Sequence, residues 1–117
     1  MEMLEARQNG VLVFSLKGRL DAASMPSLRN LLQERIAQGE RRFAVDSAGL
    51  TYISSAGLSL LLQVAKQLEE RSGRMLLFAL QEPVRRVLEI AGFISLFSVL
   101  RSSEEAVQDC RSRLTYF

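Results

Sequence analysis

Apolar residues fall along this chain in two rhythms: short dense runs, and stripes spaced three and four apart. A dense run covers Val11 to Leu16, where only Ser15 is polar, and others appear in "RRFAVDSAG" and "RMLLFAL". Short runs of β-branched and large side chains predict strands, and those without clean alternation predict strands buried on both faces. The stretch before Asn9-Gly10 predicts a further strand, because Asn-Gly tolerates the positive φ of a two-residue hairpin turn. "FSVLRS" predicts a weak fifth strand.

The striped segments predict helices. In "SMPSLRNLLQERIAQG", Leu28, Leu31, Leu32 and Ile36 make one buried face. Ser24 can cap it, Pro26 suits its first turn, and Gly39 can end it in the left-handed conformation. In "AGLSLLLQVAKQLEERSG" the inward residues are Leu58, Leu61, Leu62, Ala65 and Leu68, with Gly73 as the stop. "EPVRRVLEIAG" turns Val84, Val87, Leu88 and Ala91 inward and Arg85 and Arg86 out. A last helix opens on Ser102-x-x-Glu105, a capping box, and carries Ala106, Val107, Cys110 and Leu114 as its stripe. The expected architecture is therefore a single α/β domain over residues 1–117. It has a mixed, mostly parallel sheet with an N-terminal β-hairpin and about four helices packed against it.

Composition narrows the chemistry. The 117 residues are 48% hydrophobic, enough for a real core, and the formal charge is only +2. Basic residues are interspersed rather than gathered on one face, which argues against nucleic acid as a partner. A lone Cys110 permits no internal disulfide and fits a reducing, cytoplasmic compartment. No basic-then-apolar leader opens the sequence, and no apolar run approaches the roughly 20 residues that span a bilayer. The chain has no His, which removes Ser-His-Asp and Cys-His relays. No cluster of metal ligands and no phosphate-cradling glycine loop is present, so neither metal nor cofactor is expected. A serine nucleophile would need Lys17 or Lys66 as its base. Lys66 lies about three helical turns from Ser55, ~16 Å along the axis, out of reach.

In parallel sheets, functional groups gather where strands hand over to helices at their carboxyl ends. Ser54 and Ser55 stand at such a place, as do "GRLD" and "LQEP". One serine is enough for a helix cap, worth about 1 kcal/mol. Ala56 and Gly57 follow, leaving a first turn almost bare of side chains, which a neighbouring protein can approach. No acidic residue sits in that turn, so the positive end of the helix is free to meet an anion. A phosphate on Ser55 would add about −1.5 to −2 charges there without opposing the fold.

These residues resemble a known family. "VDSAGLTYISSAGLSLLLQVAKQL" is similar to the signature of STAS domains of the anti-sigma factor antagonist type. "FSLKGRLDAASMPSLRNLL" and "EPVRRVLEIAGFISLFSVLRSSEEAV" extend the likeness over nearly the whole chain. The resemblance implies a binding module of a bacterial partner-switching system, not an enzyme. Its partner would be an anti-sigma factor that is also a serine kinase, and a PP2C-type phosphatase would reset it. It matches Ser55 to the phosphorylated residue and Asp21 to the Asp of the Gly-x-Leu-Asp turn. Asp46 matches the Asp ending the third strand, and Gly57 the glycine that keeps the helix start bare. Asp21, Ser54, Ser55, Ala56 and Gly57 are thus the expected partner-binding residues. Ser54 stands where Asp is usual and Arg19 where Glu is common, so both remove negative charge from the contact surface. The alternative is an unmodified structural subunit of a transport or lipid-handling complex.

Overall fold

A computed structural model of the chain describes residues 1–90 and 98–100. The element order is β1 (Glu2–Gln8), β2 (Val11–Leu20), α1 (Met25–Ala37), β3 (Arg42–Ile53), α2 (Ser55–Glu70), β4 (Arg74–Phe78), α3 (Glu82–Ile90) and β5 (Ser98–Leu100). The strands form one sheet in the order β1-β2-β3-β4-β5. The β1–β2 pair is antiparallel, joined by Asn9 and Gly10 with φ of +52° and +84°, and every later pair is parallel. Three helices lie among the described residues, fewer than the sequence reading expects, and its last helix, with Cys110, falls outside them.

Each parallel crossover steps one place across the sheet in the same direction. Right-handed connections then place α1, α2 and α3 on one face. The main core lies between that face and the helices. It joins Leu12, Phe14, Leu16, Leu20, Phe43, Val45, Met75 and Leu77 of the strands to Leu28, Leu32, Ile36, Leu61, Val64, Leu68, Val84 and Leu88 of the helices. Phe14 and Phe43 meet edge to face at 5.0 Å in its middle. A smaller cluster, Val11, Val13, Ala44, Leu76 and Phe78, is buried on the opposite face. Burial on both sides explains why β4 is apolar without alternation.

Three expectations are corrected. The inward stripe of α2 includes Leu60 and Val64, whereas Leu62 is only half-buried and Val87 of α3 is exposed. The left-handed residue that stops α2 is Ser72 (φ +61°), not Gly73. Amides of Ser72 and Gly73 reach back to the carbonyls of Glu69 and Leu68 (3.0 and 2.7 Å). Gly73 is required for another reason: a Cβ there would lie 2.3 Å from the Arg41 carbonyl oxygen, where the chain enters β4. Finally, β3 does not stop at the polar "DSAG" stretch but continues to Ile53. Two register shifts absorb the extra residues. Ser15 pairs with Asp46 but Lys17 with Gly49, and Gly18 pairs with Leu50 but Arg19 with Tyr52. Such bulges let one strand carry more residues than its neighbour.

The edge strand β1 is fastened to the last turn of α1 and the loop after it by two forked ion pairs. Arg35 donates to both oxygens of Glu5 (2.6 and 2.9 Å), and Arg7 donates to both oxygens of Glu40. Hydrogen bonding from Arg35 holds the Glu5 carboxyl below its ordinary range, and that from Arg7 does the same for Glu40. Lowered folded-state values mean that the unfolded chain takes up protons first as pH falls. The stabilisation is therefore complete at neutral pH and lost as pH drops below about 4.3 toward the folded-state values. Urea midpoints measured from pH 7 to pH 3 should hold steady and then fall. In Glu5→Gln the acid drop should shrink.

Candidate functional site

The carboxyl ends of β2 and β3 converge on the start of α2. Leu20 and Ile53 form the last rung of the β2–β3 ladder, and the Ser54 amide donates to the Leu20 carbonyl at 2.9 Å. Ser54 is extended (φ −86°, ψ 169°) and is the N-cap: its hydroxyl oxygen accepts the Gly57 amide at 3.1 Å. Its carbonyl accepts the Leu58 amide at 2.9 Å. Ser54 is half-buried.

Ser55 differs in every respect. It is the first helical residue, it is exposed, and its hydroxyl has no hydrogen-bond partner among the described residues. No acidic residue occupies the first turn of α2. The two serines therefore divide the work: one closes the helix, the other is presented to solvent.

Gly57 does not serve the bare surface expected of it. It is buried, and a Cβ built on it would lie 2.7 Å from Leu20 Cγ and 2.9 Å from the Leu20 carbonyl oxygen. The glycine lets α2 press onto the end of β2, and that contact faces inward. The outer face of the first turn is left to Ser55, Ala56 and Ser59. Beside it a groove between α1 and α2 is lined by Met25, Arg29, Ala56, Ser59, Leu60 and Gln63.

Asp21 builds its own turn. Its Oδ1 accepts the amides of Ala23 and Ser24, both at 3.1 Å, and also lies 3.2 Å from the Ser24 hydroxyl. The Ser24 amide, more than any other group, holds the Asp21 carboxyl below the ordinary aspartate range, with the Ser24 hydroxyl, the Ala23 amide and Arg19 adding smaller amounts. Ser24, expected to cap α1, makes no side-chain cap bond to the helix. Its hydroxyl instead donates to the Arg19 carbonyl at 2.7 Å. Asp46 sits within β3 rather than at its end. Its Oδ1 accepts the Ala48 amide (3.0 Å) and its Oδ2 the Ser15 hydroxyl (3.1 Å), which pins the first bulge. Sequence reasoning missed Tyr52, whose exposed ring lies 4.0 Å beneath the Arg19 guanidinium. An exposed aromatic just before the serine pair was the available signal. Arg85 and Arg86 are solvated and pair with Glu89 and Glu82 on their own helix. Among the described residues no group of His, Cys, Asp and Glu could hold a metal, and no helix is long and apolar enough to cross a membrane.

A mixed sheet with its helices stacked on one face, and a serine-led helix at its carboxyl edge, is the arrangement of a STAS-class domain. The STAS domain profile matches residues 4–106, and the chain belongs to that family. BtrV of Bordetella bronchiseptica, a protein provisionally named an anti-sigma factor antagonist, is 39% identical over 97% of this chain and 98% of its own length. The anti-sigma-B factor antagonist of Staphylococcus aureus is 26% identical over 74% of this chain and 81% of its own. The fold matches that of the anti-sigma factor antagonist SpoIIAA, solved unphosphorylated, with a TM-score of 0.82 over 95% of this chain and 97% of that one at 24% identity. SpoIIAA has also been solved in a phosphorylated form, which matches with a TM-score of 0.74 over 96% and 100% at 24% identity.

The geometry separates three substitutions by urea denaturation. Ser54→Ala should cost about 1 kcal/mol through the lost cap. Ser55→Ala should stay within about 0.5 kcal/mol of wild type. Gly57→Ala should cost about 1–3 kcal/mol, because the new methyl group meets Leu20 and its backbone.

Proposed function

We propose that this chain is an anti-sigma factor antagonist of a bacterial partner-switching system, acting in the cytoplasm as a binding module rather than a catalyst. Unphosphorylated, it binds an anti-sigma factor that is also a serine kinase, through the serine turn of Ser54, Ser55 and Ala56 together with Asp21 of the turn after β2. Phosphorylation of Ser55 ends the complex, and a PP2C-type phosphatase restores the binding form. The names of its relatives support the general role.

The observation that carries the finer reading is the contrast between the serines. Ser54 is half-buried and its hydroxyl oxygen is held against the Gly57 amide, so it is poorly placed to enter a kinase active site. A phosphate on Ser55 displaces no bond among the described residues, and it meets a helix end that favours negative charge by about 0.3–1 kcal/mol. The fold therefore tolerates the modified form. The change falls on the partner, whose surface fits a small neutral side chain and now faces bulk and charge.

The test is binding and phosphate mapping with the cognate kinase. Incubation with that kinase and ATP should place one phosphate, at Ser55, and none on Ser55→Ala. Ser55→Asp should lose about 100-fold or more in affinity, the scale of an unfavourable charge at an interface, with a native circular dichroism spectrum. A Ser55→Asp chain that binds like wild type would sink the switch and favour the structural-subunit alternative.

A further inference from the structure

The β2–β3 ladder ends in a second feature, apart from the serine turn. After Gly18 pairs with Leu50, Arg19 pairs with Tyr52, so β3 carries Thr51 as an extra residue there. The Thr51 hydroxyl donates to the Gly18 carbonyl at 3.0 Å and closes the bulge. Gly18 itself has φ +111°, which side chains other than glycine rarely adopt. The consequence is that Arg19 and Tyr52 emerge side by side, with the guanidinium carbon 4.0 Å from the ring centroid. Both remain open to solvent: the Arg19 side chain is 62% exposed and Tyr52 38%.

Stacking uses the flat face of a guanidinium and leaves its N–H edges free. Among the described residues the Arg19 side chain makes no hydrogen bond. Arg19 forms a long ion pair with Asp21, whose Oδ2 lies 3.9 Å from Nε, beyond hydrogen-bond reach, and whose Oδ1 is engaged by the Ala23 and Ser24 amides. The Arg19 backbone is fixed as well, by the Ser24 hydroxyl on its carbonyl. Arg19 is thus an arginine with its base held, its guanidinium resting over a ring, and its N–H groups without a hydrogen bond among the described residues. A surface side chain ordinarily gives up rotamer freedom when it binds. Here the ring of Tyr52 has already restricted it.

We infer that Arg19, oriented by Tyr52, is a specificity determinant of the docking face and takes a carboxylate on the partner's surface. The inference rests on the reading that the Ser55 turn docks an anti-sigma factor. A planar, bidentate fork suits a carboxylate, and a partner presenting a basic group at that position is turned away. Tyr52 acts through Arg19 and is a positioning residue.

The probe is the ATP-binding anti-sigma factor retained by the wild-type chain from its native cells, purified and titrated by calorimetry. Arg19→Glu should lose about 30-fold or more in affinity, as expected for a charge pair at an interface, and Arg19→Lys distinctly less. Tyr52→Ala should weaken binding by a smaller factor than Arg19→Glu. All three should keep native circular dichroism spectra. The salt dependence of the association rate should flatten in Arg19→Glu. A reciprocal change of the facing carboxylate to Lys on the partner should restore binding to Arg19→Glu. Wild-type affinity in Arg19→Glu, alongside a Ser55→Asp chain that no longer binds, would overturn the role of Arg19 and leave the switch standing. Equal losses in Arg19→Lys, Arg19→Glu and Tyr52→Ala would also overturn it, since charge and geometry would then not matter. If no such anti-sigma factor is retained, or if Ser55→Asp binds fully, the functional reading falls and the inference with it.

Discussion

Leu20 is where the sheet ends and the serine helix begins. Its side chain is fully buried, its carbonyl accepts the Ser54 amide, and both press so closely on α2 that position 57 has no room for a side chain. From this contact the remaining geometry follows. With the first turn of α2 held on the sheet edge, Ser54 has one rotamer task, the cap. Ser55, one residue on, is turned outward. A helix packed less closely would fray at its first turn, because its leading amides have no intrahelical partners. The exposed hydroxyl would then have no fixed position.

The bulges of β3 do the same for the other side of the site. A regular parallel ladder from Ser15–Asp46 onward would bring Lys17 opposite Ala48 and offset every later residue. The first bulge flips the phase so that Leu50 turns to the core, and the second flips it back so that Ile53 does, with Tyr52 between them left half-open to solvent. Asp46 and Thr51 each hold one of these irregularities with a side-chain bond. The polar residues within a core strand are thus accounted for by backbone geometry, without assigning each to a partner.

Much of this was legible in the sequence where the signal is local. The stripe of α1, most of that of α2, the buried character of β4 and the location of a serine pair at a strand-to-helix junction all follow from residue spacing and type. What escaped depends on pairing between distant segments. "DSAG" reads as the polar close of a strand, and only the neighbouring strand reveals that it is bulged into a longer ladder. Gly57 reads as surface bareness because its true constraint, Leu20, lies 37 positions earlier in the chain. Gly73 reads as a left-handed stop for the same reason, when Ser72 takes that conformation and Arg41 sets the demand for glycine. The stacking of Arg19 on Tyr52 needs the second bulge, which no periodicity announces.

The strand at the margin of the sheet has a consequence of its own. β1 has β2 on one side and no described strand on the other, with Leu4 largely in solvent. A bare sheet margin of that kind invites a second polypeptide to add on, the first step toward fibres. Here Glu2, Glu5 and Arg7 stud the strand, and two of the three are tied down over the end of α1. An incoming chain would have to strip water from these charges or dislodge the clasps, which guards this flank of the sheet.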